Sequence, residues 1–403
     1  LRPDNDEDEK IQAETDEFLP LTTEEITQVL QDTKTYQNLV AAVVTDVQET
    51  SAFAIIKGGE MVTLDWEGMS WAREYINDKK QGAPPKVASE ILGVGDVIYV
   101  IKNSSEFYSL SQLPAASSAL VAISPDNGAI MSAVGGFSFK QSQFNRVTQA
   151  KRQVGSNIKP FLYSGALENG FTLASLVNDA PIDQWDRSSG VVWRPKNSPP
   201  TYDGPIRVRL ALAQSKNVVA VRLLQQVGLS KTIDHLSSFG FAPDELPRNQ
   251  SLALGSASLT PLEVVTGFAA FANGGFLVEP YLIERIEDSF GNILFQAHPA
   301  LACEECVLEN EIVSDSLTAN VSELNENLVE DSIESEALEP VEIRQAERAI
   351  SPQNAFLITE ALNTAVWGAD WSVSPGWQGT GFRARTLKRR DIAGKTGTTN
   401  EAK

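Results

Sequence analysis

Apolar residues follow two rhythms along this chain, and the change between them divides it. From about residue 39 to 113 they come in short runs, at 39–44, 52–56, 61–64 and, after Gly93-Val94-Gly95-Asp96, 97–101. Short runs punctuated by Gly and Pro predict strands, and several in succession predict a small closed β-barrel. An oligonucleotide/oligosaccharide-binding (OB)-like barrel is the expected form, with an unspecified β-domain as the alternative. Beyond Pro114 two apolar runs, 119–123 and 129–134, flank Ser124-Pro125-Asp126-Asn127-Gly128. That arrangement predicts a β-hairpin. Apolar spacing then turns helical, predicting helices over 159–168, 208–226, 261–272 and 352–366. The expected fold class is α+β: an antiparallel sheet with a helical subdomain against it, preceded by the OB-like barrel.

Polar stretches set the remaining boundaries. Residues 1–35 form an acidic linker with a short helix over 22–34, since Thr22-Thr23-Glu24-Glu25 supplies a hydroxyl cap and early acids. Residues 36–115 form the barrel domain and 116–403 the larger domain. Within the latter, 304–347 is rich in Glu, Asp, Asn and Ser and is expected as a surface insertion.

Charge narrows the partners. With 33 Lys and Arg against 53 Asp and Glu, the chain carries a formal net charge of −20. Nucleic acid binding needs a basic face, so no nucleic acid partner is expected. No apolar run approaches the ~18 residues that span a bilayer. The chain opens at Leu1-Arg2-Pro3 and ends at Lys403 just after a glycine-rich motif, so both ends read as cut from a larger protein. Two cysteines, Cys303 and Cys306, are too few for a zinc site with His298 alone and lack a thioredoxin-like setting. A local disulfide or two free thiols remain open. No metal or cofactor is expected.

Three short motifs carry the candidate chemistry: Ser156-Asn157-Ile158-Lys159, Ser215-Lys216-Asn217 and Lys395-Thr396-Gly397-Thr398-Thr399-Asn400. Each alone is weak, but the ordered set is specific. A serine hydroxyl needs an adjacent base to become a nucleophile. The chain holds only two histidines, His235 and His298, neither in a nucleophile-like sequence setting. Lys159, one helical turn after Ser156, is the natural base if burial or a neighbouring cation such as Lys395 keeps it partly neutral. Ser215 can relay a proton, and Asn217 can hold a substrate amide. The run from Ala393 to Thr398 reads as an inner strand, with Gly397 allowing close approach of a substrate backbone. Thr396 and Thr398 hydroxyls suit a carboxylate beside Lys395. The amides of Ser156 and Thr398 could form an oxyanion hole, worth about 10²–10³ in rate per donor.

Longer segments around these motifs extend the pattern. Residues 144–163, which include Gln153-Val154-Gly155-Ser156-Asn157-Ile158-Lys159-Pro160-Phe161, resemble the nucleophile segment of class A penicillin-binding proteins. So do Trp193-Arg194-Pro195-Lys196-Asn197-Ser198-Pro199-Pro200, Leu252-Ala253-Leu254-Gly255-Ser256 and Trp377-Gln378-Gly379-Thr380-Gly381. The likeness runs from about residue 36 to Lys403 and is greatest to the Gram-negative branch. It implies a β-lactamase/transpeptidase-like fold and a serine D,D-transpeptidase that cross-links peptidoglycan stem peptides and is acylated by β-lactams. It also implies a bifunctional parent with a glycosyltransferase domain and a membrane helix upstream, on the periplasmic face of the inner membrane. The barrel at 36–115 would then dock an outer-membrane lipoprotein activator. Two other readings stand beside it. A β-lactamase-like hydrolase would need a deacylating carboxylate, which Glu360-Ala361-Leu362-Asn363 matches formally. A docking fragment with no activity is the other.

Overall fold

The computed structural model describes residues 22–77, 80–103, 107–186, 191–304, 344–368 and 379–399. Its contacts divide the chain into two units, Leu1–Ser117 with Phe137–Gln143, and Ser118–Gly136 with Phe144–Lys403.

In the first unit, strands Leu39–Val47, Ser51–Ile56, Met61–Asp65, Val97–Lys102 and Tyr108–Ser111 close into a barrel. Four of these were expected. The fifth, Tyr108–Ser111, closes the barrel by pairing antiparallel with Val97–Lys102 and parallel with Met61–Asp65 at Leu64 and Tyr108. Strand Leu39–Val47 reads as a continuous apolar run because both of its faces are covered. Ala42 and Val44 face the barrel interior with Ala54, Leu64, Met69 and Val100. Ala41 and Val43 pack instead with Ile26 and Leu30 of helix Thr23–Gln31. Its register shifts between Val44 and Asp46, the kind of irregularity that lets a strand coil around a small barrel. Helix Thr23–Gln31 starts at Thr22 in a capping box with Glu25, which satisfies two first-turn donors.

The second unit is built on a helix. Lys159–Glu168 is buried along its length from Lys159 to Ala166, so it is a core helix, enclosed on all sides. Phe161 fixes its position. That ring is 1% exposed and meets Phe239, Phe241 and Phe268 edge-on, with centroids 4.9, 4.9 and 5.1 Å away. Helices Pro261–Ala272 and Pro352–Trp367 begin where expected, each with proline in the first turn and a hydroxyl cap, Thr260 or Ser351. The expected hairpin forms from Leu120–Ile123 and Ile130–Val134. Helix Leu229–Ser237 had not been foreseen.

Two expectations need correction. The helix read over 208–226 is two helices, Val208–Ala213 and Asn217–Val227, broken at Ser215, whose φ is 58°. Apolar periodicity continues across the break, so spacing alone hides it. The third motif is not laddered as a strand among the described residues. A strand requires a bonded neighbour, and among the described residues the run 392–399 makes one backbone–backbone bond, from Gly394 N–H to Leu362 O at 3.4 Å.

Of the acidic stretch 304–347, residues 305–343 lie outside the described residues, whereas Glu347–Arg348 pairs with Phe276–Leu277. Cys303 is disulfide-bonded. Cys306 lies outside the described residues, as do Trp377, Gln378 and Asn400. Among the described residues no helix is long and apolar enough to cross a membrane.

Candidate active site

The first motif begins in a tight turn. Gly155–Ile158 forms a 3₁₀ turn that runs directly into helix Lys159–Glu168, with Pro160 in its first turn where no amide is needed. Gly155 has φ 53°, a left-handed conformation that strains other residues. Space also demands glycine there: a Cβ would stand 2.4 Å from Thr398 O. Gly255 lies against the opposite side of the turn, where a Cβ would come within 1.9 Å of Gly155 O, and the Gly155 N–H bonds Gly255 O at 3.0 Å. A Cβ on Gly397 would meet Asn157 Nδ2 at 2.5 Å. The nucleophile turn and the third motif therefore meet closely at two glycines, backbone against backbone at Gly155 and backbone against the Asn157 side chain at Gly397.

The second motif occupies the helix break. Helix Val208–Ala213 ends, Ser215 turns into the left-handed region, and helix Asn217–Val227 starts two residues later. This places three groups of one short segment around a single ammonium. Lys159 Nζ donates to Ser215 O at 2.7 Å, Ser215 Oγ at 3.2 Å and Asn217 Oδ1 at 2.6 Å. Lys395 Nζ reaches the same hydroxyl at 2.8 Å and also donates to Thr396 O at 2.7 Å. Ser215 Oγ thus stands between the two lysines. Asn217 Nδ2 donates to Lys196 O at 2.8 Å, which leaves its carboxamide one hydrogen and one lone pair for a ligand.

Electrostatics follow from burial. Lys159 is 0% exposed, and desolvation, with the charge of Lys395 second, holds its pKa well below the ordinary lysine value. Desolvation likewise lowers Lys395 to about 8. An amine whose pKa is lowered in this way gives up and takes back a proton more readily than a solvated lysine.

The eight residues picked from sequence are distributed unevenly. Lys159, Ser215, Asn217 and Lys395 are joined by hydrogen bonds. Ser156 is half-buried on the 3₁₀ turn, and among the described residues its Oγ makes no hydrogen bond, with Lys159 or any other group. Thr396, Gly397 and Thr398 are exposed along the outer edge beside Asn157 and Gly155.

Sequence reasoning missed several supports. Asn363 donates to Arg390 O at 2.8 Å and Ile392 O at 3.1 Å, anchoring the approach to Lys395. Glu360 pairs with Arg209 at 3.3 Å, so the Glu360–Asn363 match holds structure instead of aiming a carboxylate into the site. His235 Nε2 lies 3.0 Å from Ser164 Oγ, a serine–histidine contact that spacing did not suggest. Ser164 is fully buried and its hydroxyl donates to Asn354 Oδ1 at 2.9 Å, so this pair is part of the core. Asn197, inside the Trp193–Pro200 segment, had no assigned role, and Asp179 gave no sequence signal.

Comparison with known proteins agrees with both units. A family model described as "Penicillin-binding protein OB-like domain" matches residues 9–116, and one described as "Penicillin binding protein transpeptidase domain" matches 118–403. The chain is 49% identical to penicillin-binding protein 1A of Vibrio cholerae over 94% of its own length and 44% of that protein. It is 46% identical to penicillin-binding protein 1A of Escherichia coli over 94% of its length and 46% of that protein. The crystal structure of penicillin-binding protein 1A from Haemophilus influenzae superposes with a TM-score of 0.76 at 40% identity, covering 95% of this chain and 52% of that one. The chain thus spans less than half the length of these two curated relatives.

Proposed function

The chain belongs to the penicillin-binding protein transpeptidase family, and from that membership we propose that it cross-links peptidoglycan stem peptides through an acyl-enzyme on Ser156. The observation that supports this most is the meeting at Ser215 Oγ of Lys395 with Lys159, which follows Ser156 by one helical turn.

In the first half-reaction the Ser156 Oγ–H proton passes to neutral Lys159 as Oγ attacks the penultimate D-Ala carbonyl of a donor stem. The tetrahedral oxyanion faces the amides of Ser156 and Thr398. Ser156 is early in its 3₁₀ turn, where N–H groups lack intrahelical acceptors. Collapse expels the terminal D-Ala, whose nitrogen takes the proton by way of Ser215. In the second half an amine of a neighbouring stem, diaminopimelate in a Gram-negative wall, attacks the ester and restores Ser156. Thr396, Thr398 and Lys395 bind the donor's terminal carboxylate, and Gly397 lets its backbone approach. β-Lactams acylate the same serine.

For the parent protein we propose an upstream glycosyltransferase domain and membrane anchor, and action on the periplasmic face of the inner membrane. The OB-like unit would receive the outer-membrane lipoprotein activator. A β-lactamase reading is less well supported, because Glu360 and Asn363 are engaged elsewhere.

The lifetime of the acyl-enzyme separates these readings. A fluorescent penicillin adduct that persists while free drug is depleted only stoichiometrically fits the transpeptidase. Rapid turnover of drug points to the hydrolase, and no adduct at all to a docking fragment.

A further inference from the structure

Beside the second motif lies a buried polar cluster for which the acyl-transfer scheme has no role. Asp179 is 0% exposed on strand Leu176–Asp179. One of its oxygens accepts from Asn197 Nδ2 at 2.7 Å. The other accepts from the Asp203 amide and from Lys216 Nζ, each at 3.0 Å. Lys216 also pairs with Asp203 at 2.7 Å. Burial alone would lower the Lys216 pKa, but its hydrogen bonds to Asp203 and Asp179 outweigh that and raise it. Asn197 Oδ1 in turn accepts from the backbone N–H of Asn217 at 2.9 Å and of Val218 at 3.2 Å. Those are first-turn amides of helix Asn217–Val227, whose own cap residue Lys216 offers no side-chain acceptor. A carboxamide from a distant loop therefore caps this helix in place of a local Ser, Thr or Asp.

We propose that Asn197 and Asp179 are positioning residues for the second motif. Together they hold the three residues that follow Ser215, the residue in left-handed backbone. Asp179 holds Lys216 through its side chain, and Asn197 holds Asn217 and Val218 through their amides. Ser215 and Asn217 are the groups that bind Lys159, so a shift of this segment opens the lysine to water and loosens its three hydrogen bonds. Neither Asn197 nor Asp179 needs to touch substrate. A misplacement of about 1 Å can cost ~10²-fold in rate, so a supporting clamp can matter as much as a contacting group.

This inference rests on the acyl-enzyme reading, and the test keeps the two apart. The full-length protein is assayed for its second-order rate of acylation by fluorescent penicillin from pH 6 to 10, beside the thermal midpoint. Wild type that fails to label overturns the acyl-enzyme reading itself. With wild type labelling, Asn197→Ala is expected to acylate about 10- to 100-fold more slowly, with its rising limb moved to higher pH as Lys159 gains water. The exchange Asn197→Asp with Asp179→Asn keeps an acceptor for each donor of the clamp and reverses the bond between the two residues. It gives up the bond from Asn197 Nδ2 to Thr201 O and the charge facing Lys216, and is expected to recover most of the rate and the wild-type limb. Should Asn197→Ala not fold, Asn197→Ser takes its place under the same criterion: its shorter polar side chain keeps a hydroxyl in the pocket but cannot span from the Asn217 amide to Asp179. An unmoved pH limb, with rate lost only in proportion to folded protein, means a merely structural role and overturns the proposal. An exchange variant no better than the single substitution overturns it as well.

Discussion

Lys395 Nζ lies 2.8 Å from Ser215 Oγ, close enough to share that hydroxyl with Lys159 and to act on the other amine by its charge. Two like charges meeting at one hydroxyl in a desolvated site cannot both remain fully protonated, and the more buried of them yields first. In the proposed mechanism Lys395 controls the base as well as binding the substrate carboxylate.

Removing that charge should relax Lys159 towards its ordinary pKa. Lys395→Ala is therefore expected to move the rising limb of the acylation–pH profile to higher pH, and Lys395→Arg to leave it lower than Lys395→Ala does. The measurement is the acylation rate across pH 6 to 10. A limb unchanged in Lys395→Ala would show that desolvation alone sets the base.

Gly155 couples the nucleophile turn to the third motif. Gly155→Ala must place a Cβ against Thr398 O while holding a left-handed φ. Strain of this kind costs ~1–3 kcal/mol. The thermal midpoint should fall, and acylation should fall further as the third motif is pushed from the turn. Unchanged acylation would mean that contact is not maintained in solution.

Phe161 anchors the helix that carries Lys159 on its first turn. Truncation to Ala removes a buried ring from four aromatic contacts, and such changes cost about 3–5 kcal/mol. Chemical denaturation should show a loss in that range. A loss below ~1 kcal/mol would mean that the core closes over the gap.

His235 should give the core an acid limit. Desolvation lowers its pKa below 6.5, opposed in part by the charge of Glu168. The unfolded chain then takes up a proton that the folded chain resists. The resulting stability is complete above about pH 6.5 and is lost as pH falls through the lower folded value. Denaturation from pH 7.5 to 5 should show this slope, and His235→Asn should flatten it. Equal slopes in both proteins would exclude the imidazole as the cause.

What was legible in the sequence follows the physics of each signal. The barrel strands, the core helix 159–168 and the helix starts at Pro261 and Pro352 were readable because period, caps and proline act locally. The candidates Ser156, Lys159 and Lys395 were singled out because three short motifs occur in order along the chain. The break at Ser215 was not visible, because apolar residues continue in helical register on both sides of it. Asn197 and Asp179 act through backbone amides and a lysine supplied by another segment, so no local spacing marks them. The third motif read as a strand from its composition, yet pairing depends on a neighbour that composition does not reveal.

In the proposed mechanism one hydroxyl, on Ser156, becomes acylated because Lys159 can take its proton. The most direct measurement is intact mass after incubation with benzylpenicillin, followed by peptide mapping of the modified residue. A single adduct of one penicillin is expected on the peptide containing Ser156, absent in Ser156→Ala and slowed by ~10²-fold or more in Lys159→Ala. An adduct that persists in Ser156→Ala, or that maps to another residue, would contradict it.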